Sequence, residues 1–146
     1  MKKESAHPIL IVSSNCRLFV ADSSGVDEIN MPVMAKSLYL LLLRNPDGIA
    51  FDESLKARKE LIDNYYAITN CSLDDADLQR ILNLTEPPTG NIDAMCELIR
   101  KSFVHIVGKR RAEPFLIDCS NPYASKHEGI VVVVRVKVRG FKRVLG

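Results

Sequence analysis

Residues 34–49 read MAKSLYLLLLRNPDGI, and this segment contains the strongest secondary-structure signal of the chain. The run at 38–43 is apolar nearly all round a helix, which is typical of a helix inside a core. Pro32 suits a first helical turn, where a missing N–H costs nothing. The pattern therefore predicts a central helix over about 33–44, ended by the sequence NPDG at 45–48.

Short apolar segments at 9–12, 18–21 and 26–29 precede that helix. Turn-forming residues separate them, SSN between the first two and DSSG before the third. Apolar runs of this length between turn signals are typical of strands. The chain is therefore expected to open with an antiparallel meander whose first two strands form a hairpin.

Three further helices are predicted after a short strand at 49–51. The first covers about 53–67, with Asp52 as its cap and an apolar stripe along one side. The second begins near 72–75, where a serine and two aspartates suit a helix N-terminus. The third covers about 92–104 after the capping residue Asn91. Its expected buried face consists of Ile92, Met95, Cys96, Ile99 and Phe103.

The apolar period changes to two after residue 104. Apolar runs at 105–107 and 115–117 flank the sequence GKRRAEP, which predicts a hairpin with a basic tip. A loop is expected over 119–128 and a long strand over 130–138. Strands, then helices, then strands, without an internal repeat, predict a single α+β domain over residues 1–146.

Charge is distributed unevenly along the chain. The net charge is only +2, yet residues 1–98 hold nine Lys or Arg against fifteen Asp or Glu. Residues 99–146 hold eleven Lys or Arg against three Asp or Glu. Such asymmetry favours an anionic partner for the C-terminal third, although two halves of one fold can also match each other electrostatically.

The cysteines and the apolar runs indicate the compartment. Four cysteines occur without a Cys-x-x-Cys pair, so nothing local favours zinc or dithiol chemistry. They are interpreted as reduced and mostly buried thiols of a cytoplasmic protein. The apolar run at 8–12 is too short for a signal peptide or a membrane span, so no membrane partner is expected.

Three segments resemble the winged-helix output domain of bacterial response regulators. Residues 34–49 resemble its first helix and the stop that follows. Residues 91–103, with Ile99-Arg100-Lys101, resemble its recognition helix, and Val138-Arg139-Gly140 resembles a motif of its wing. The resemblance implies a winged-helix-like fold with a small N-terminal sheet, three to four helices and a C-terminal hairpin or strands.

The chain also departs from that family. Phe141-Lys142-Arg143 stands where the wing motif normally continues with glycine and tyrosine, and residues 68–90 contain an extra helix. No receiver domain is found in the chain. Both 105–117 and 130–143 are candidates for the wing.

The candidate DNA contacts of the fourth helix are Arg100 and Lys101, whose charged groups suit phosphate or guanine acceptors. These cations would equally offset the helix dipole. Lys109, Arg110 and Arg111 lie at the predicted hairpin tip, where they repel one another and would gain nothing from the fold. An anionic partner explains them, and so does a solvated turn.

Arg135, Lys137 and Arg139 alternate along the last predicted strand. Their spacing places three cations on one face, about 6–7 Å apart along the strand. Such a row could follow a phosphate backbone, or it could protect an edge strand from pairing with another chain.

No constellation of catalytic residues occurs in the sequence. Histidines stand in unrelated contexts, and phosphate-binding loops, nucleophile elbows and metal-ligand pairs are not found. We therefore expect neither an enzyme nor a cofactor.

The leading interpretation is a regulator-like protein that binds double-stranded DNA and lacks a sensor domain. The alternative is a protein-interaction or oligomerisation module on the same fold, with a homodimer or another protein as its partner.

Overall fold

A computed structural model describes residues 8–45, 49–51, 55–71, 73–85, 91–125, 129–136 and 142–144. For 49–51, 55–57, 83–85, 91–93 and the residues beyond Ile117, it describes the backbone only. The structure is α+β, as the sequence predicts: three antiparallel strands are followed by four helices, and further strands come after them.

The N-terminal strands form the predicted meander. Strand β1 (Ile9–Ser13) pairs antiparallel with β2 (Leu18–Asp22), which pairs antiparallel with β3 (Gly25–Ile29). A strand that the sequence does not predict, β7 (Lys142–Val144), pairs parallel with β1 at the other edge. One face of this sheet is apolar because Leu10, Leu18 and Val20 alternate with more exposed positions.

Helix α1 (Val33–Arg44) occupies the centre of the core, which confirms the interpretation of its apolar run. Its residues 38–43 are all buried. The helix ends at Asn45, whose side-chain amide donates a hydrogen bond of 2.8 Å to the carbonyl of Leu41. Helix α1 contacts helix α2 (Leu55–Thr69), the fourth helix and a strand of the second sheet, so it connects the other helices with that sheet.

A buried amide joins α1 to α2. Asn64 on α2 donates a hydrogen bond of 2.9 Å to the carbonyl of Ser37, and it accepts one of 3.3 Å from Arg44. The side chain is almost fully buried, so these bonds satisfy groups that would otherwise be costly to bury. The pair of helices is thereby held in one register.

Helix α3 (Asp75–Thr85) begins with reciprocal capping bonds, as the acidic start predicts. Asp74 accepts a hydrogen bond of 2.8 Å from the N–H of Asp77, and its own N–H donates to the Asp77 carboxylate at 3.4 Å. Helix α4 (Asn91–Ala112) is eight residues longer than predicted at its C-terminal end, and a short 3-10 turn (Glu113–Phe115) follows it.

A second sheet closes one side of the helices. Strand β4 (Ile49–Phe51) pairs antiparallel with β6 (Gly129–Val136), which pairs antiparallel with β5 (Ile117–Ser125). The loop predicted over 119–128 is therefore wrong up to Ser125, where β5 runs. Residues 137–140, which include the last part of the predicted strand, lie outside the described residues.

Candidate nucleic-acid interface

The buried face of α4 fixes which of its residues meet solvent. Ile99, Phe103 and Val107 are buried. The ring of Phe103 lies between those of Tyr39 and Phe115, with centroid distances of 5.3 and 5.7 Å. Because large side chains in a packed core cannot rotate freely, the opposite side of α4 is held outward. The exposed residues of that side include Ala94, Glu97, Leu98, Lys101 and His105.

The hairpin predicted over 105–117 is wrong. Residues 105–107 continue α4, because Val107 is part of the core and tertiary packing overrides the strand preference of isoleucine and valine. The predicted turn residue Gly108 does interrupt the helix, with φ 84° and ψ 163°. A short helical segment follows it and ends at the buried Ala112.

The three consecutive cations therefore lie in the last turn of α4 rather than at a hairpin tip. Lys109 and Arg110 are exposed, as a candidate phosphate contact requires. Neither of them forms an ion pair with another residue in the part of the chain that the structure describes. Their charges therefore point to solvent, next to the kink at Gly108.

Arg111 has a different environment, and the expectation that all three cations gain nothing from the fold is wrong for it. Its Nε donates a hydrogen bond of 2.8 Å to Asp22 Oδ2, and its Nη1 donates one of 3.2 Å to Asp27 Oδ2. The two aspartates lie on β2 and β3. Arg111 thus attaches the end of α4 to the N-terminal sheet.

These contacts shift the ionisation of both partners. The N–H of Ser24, at 2.8 Å, and the guanidinium of Arg111 hold the pKa of Asp22 below its ordinary value. Burial lowers the pKa of Arg111, but its hydrogen bonds to Asp22 and Asp27 more than offset this and raise it. The pair is therefore fully charged at neutral pH.

The two predicted contacts on the body of α4 also differ from each other. Arg100 forms an ion pair with Glu97 one turn earlier, through both carboxylate oxygens. This hydrogen bond lowers the pKa of Glu97 and raises that of Arg100, so the charge of Arg100 is largely matched. Lys101 is exposed on the outward side of the helix, together with His105.

The cations predicted along the last strand are Arg135, Lys137 and Arg139, and the structure describes the backbone of the first of them. Arg135 lies on β6, where its backbone is opposite that of Asp118 on β5. Lys137 and Arg139 lie outside the described residues, as does the Val138-Arg139-Gly140 segment that resembles a wing motif. The exposed cations of α4 are therefore Lys101, before the kink at Gly108, and Lys109 and Arg110, after it; we call these three residues the α4 cationic edge.

Sequence reasoning missed a groove between α2 and α3. It has a volume of about 480 Å³, and its described lining residues are Ile62, Asp63, Tyr66, Leu73 and Leu78. Its signal in the sequence is the pair Tyr65-Tyr66 on a helix, since neighbouring residues there point apart and one tyrosine must face away from the core.

Other kinds of site find no support among the described residues. No group of three or more His, Cys, Asp or Glu side chains in them is arranged to hold a metal ion. None of the helices in these same ranges combines the length and the apolar character needed to cross a membrane. The expectation of mostly buried thiols is wrong where it can be checked: Cys71 is exposed, and Cys16 and Cys96 are only partly buried.

Comparison of the chain with protein-family models, with curated proteins and with solved structures finds no match. Function must therefore be inferred from the geometry and charge described above.

Proposed function

We propose that the protein binds double-stranded DNA through the α4 cationic edge and acts as a regulator-like protein of the bacterial cytoplasm. The observation that carries the proposal is the exposure of Lys101 before the Gly108 kink of α4 and of Lys109 and Arg110 directly after it, on an element whose residues Ile99, Phe103 and Val107 are buried in the core. Exposed ammonium and guanidinium groups bind phosphates, and releasing the counterions of DNA supplies most of the affinity.

The order of elements supports a winged-helix-like arrangement around this helix. A short strand, β4, lies between the first two helices and pairs with β6, which comes after the last helix. Two of the strands that follow α4, β5 and β6, are thereby held in one small sheet with β4, as a wing must be if it is to flank the helix that reads DNA. In this proposal α4 is the recognition helix, and α3 is an addition to the winged-helix arrangement.

The structure changes which predicted contacts enter the proposal. Arg111 is removed because its guanidinium is bound to Asp22 and Asp27, and Arg100 is weakened as a candidate because Glu97 matches its charge. His105 is added as an exposed neighbour of Lys101 that can contact phosphate or a base edge. Arg135 on β6 stays a candidate, and so do Lys137 and Arg139, which lie outside the described residues.

The test is a salt titration of DNA binding by the full chain. Fluorescence anisotropy with a mixed-sequence duplex should show binding at about 50 mM salt, with a log–log slope of about −0.9 per phosphate contact as salt rises. Three contacts would give a slope near −2.7 by the same relation. If no duplex is bound at the lowest salt, or if binding does not depend on salt, the proposal is wrong.

A second candidate function is a protein-interaction or homodimerisation module. The specific observation in its favour is the groove between α2 and α3, where Tyr66 and Leu78 are 54% and 39% exposed. Large apolar side chains grouped in an open groove favour contact with another macromolecule. The two functions use different surfaces, so one protein can have both.

A further inference from the structure

Hydrogen bonds hold the end of α2, which borders the α2–α3 groove, in a defined conformation. Asn70 ends α2 in the left-handed region, with φ 57°, and its N–H donates to the Tyr66 carbonyl at 2.7 Å. The Thr69 hydroxyl accepts a hydrogen bond of 3.1 Å from the N–H of Cys71. The end of α2, as far as Cys71, therefore has a defined shape before any partner arrives.

A side-chain contact also connects the two helices at this point. Burial and the neighbouring Asp77, in the first turn of α3, raise the pKa of Tyr65. Tyr65 thus faces α3, while its neighbour Tyr66 faces solvent. A groove with preset walls loses little conformational entropy when it binds a ligand.

The chemistry of the lining argues against a small polar ligand. Its described part is apolar except for Asp63, and pockets for small molecules usually combine enclosure with several convergent polar groups. Here two of the apolar lining residues are more than one-third exposed, so the groove is open along its length. An open apolar groove fits a macromolecular segment better.

The charge around the groove indicates the charge of the segment that would bind there. Asp63 lines the groove, and Asp74, Asp75 and Asp77 stand at the start of α3. Lys59 and Arg80 each pair with one of these aspartates, Asp63 and Asp77. Asp74 and Asp75 leave an excess of negative charge, which repels nucleic acid and attracts a basic partner.

The secondary structure of the groove walls indicates whether the bound segment is extended or helical. Both walls are helices whose backbone groups bond within the helix, so they offer no free sheet edge to which an extended peptide could add. Apolar grooves between helices bind the apolar face of an amphipathic helix instead.

We propose that the α2–α3 groove binds a basic amphipathic helix of a partner protein. Large apolar side chains of that helix pack against Tyr66, Leu73 and Leu78, while its Lys and Arg side chains face the aspartates at the start of α3. This inference rests on the second candidate function and is independent of DNA binding. It assigns a location and a partner chemistry to that function.

The experiment uses the full ¹⁵N-labelled chain and a synthetic helical peptide of leucine and lysine with leucines at positions i, i+3, i+4 and i+7. The expected result is a set of amide shifts concentrated on the groove-lining residues of α2 and α3. Two control peptides should bind much more weakly. One has the same composition with the leucines scattered around the helix, and the other has glutamate in place of lysine.

Two variants identify the groove as the site. Tyr66→Ala/Leu78→Ala should weaken binding of the leucine–lysine peptide by about tenfold or more, because central apolar anchors carry most of the energy of such interfaces. Val26→Ala removes a side chain on β3 that is 65% exposed, and it should leave the affinity unchanged. Asp74→Asn/Asp75→Asn should reduce the salt dependence of binding, and asparagine caps a helix as well as aspartate does.

Several outcomes would overturn the inference. They are equal binding of the glutamate peptide, amide shifts outside α2 and α3, and unchanged affinity in the Tyr66→Ala/Leu78→Ala variant. A chain that dimerises by light scattering, and becomes monomeric in that variant, would show that a second copy occupies the groove instead. A dimer that persists in the variant, without peptide binding, would keep the second candidate function but exclude the groove as its site.

Discussion

Arg111 at the end of α4 and Asp22 at the end of β2 form an ion pair of 2.8 Å across 89 residues of sequence. The side chains of Arg111 and Asp22 are 26% and 9% exposed, so the contact is more protected than a surface pair. One terminal nitrogen of Arg111, Nη2, is buried and has no hydrogen-bond partner among the described residues. Because Asp22 is so little exposed, removal of the Arg111 guanidinium leaves the Asp22 carboxylate largely shielded from solvent and without its ion-pair partner.

We predict that Arg111→Ala lowers the free energy of unfolding clearly more than Arg100→Ala does. Both substitutions remove an arginine from α4 and break an ion pair with a carboxylate. The Arg100–Glu97 pair is exposed on both sides, where such pairs contribute little. Urea unfolding of the two variants measures the difference, and equal midpoints would contradict the structural role of Arg111.

The lowered pKa of Asp22 predicts a pH dependence for the same contact. A carboxyl whose folded pKa lies below its ordinary value of 3.8 stabilises the fold above that value. This contribution is lost as pH falls through the folded pKa. Asp22→Asn keeps the acceptor for the Ser24 N–H but not the charge, so its destabilisation at pH 7 should shrink steadily in acid. Urea midpoints measured from pH 7 downward test this, and a difference that does not change with pH would contradict it.

The backbone of Gly108 predicts a cost for any side chain there. Its φ of 84° and ψ of 163° lie in a region that only glycine adopts readily, although the space that a Cβ atom would enter is open. Gly108→Ala should therefore destabilise the fold by about 1–3 kcal/mol through backbone strain alone. His105→Ala, at an exposed helical position of α4, is the matched control and should stay within about 0.5 kcal/mol. Thermal unfolding of both variants gives the comparison.

The central helix and the N-terminal meander could be predicted because their signals are local. Residues 38–43 are apolar on every side, and only a buried helix accommodates that. The end of α4 could not be predicted in the same way. His105-Ile106-Val107-Gly108 favours a strand and a turn locally, and the helix continues because Val107 reaches the core.

Long-range pairing explains the other errors about the fold and the site. Strand β7 exists only beside β1, more than 120 residues earlier in the chain, so no local period could show it. The sequence identified Lys109, Arg110 and Arg111 as three similar cations. Only the folded structure places Asp22 and Asp27 beside the third, which separates a structural arginine from two exposed candidates.

Lys109 and Arg110 predict how DNA binding should respond to mutation. Lys109→Ala/Arg110→Ala should reduce the magnitude of the salt slope by about 1.8, at about 0.9 per lost phosphate contact. The matched control is Lys59→Ala/Arg80→Ala, which removes the same charge from exposed positions on α2 and α3. Anisotropy titrations of both variants separate a local contact from a general effect of net charge. Equal slopes would assign binding to net charge alone.

Tyr39 predicts the cost of one buried hydrogen bond that joins the core to the chain after α4. Its hydroxyl donates to the Phe115 carbonyl at 2.8 Å, and burial raises its pKa well above the ordinary value. Tyr39→Phe keeps the ring contact with Phe103 but leaves that carbonyl without its donor. We expect a loss of about 1–3 kcal/mol in the free energy of unfolding, because a buried acceptor without a partner is costly. Tyr66→Phe is the matched control on an exposed tyrosine and should change stability by no more than about 0.5 kcal/mol. Urea unfolding measures both variants, and a Tyr39→Phe variant as stable as the control would mean that the Phe115 carbonyl finds another donor.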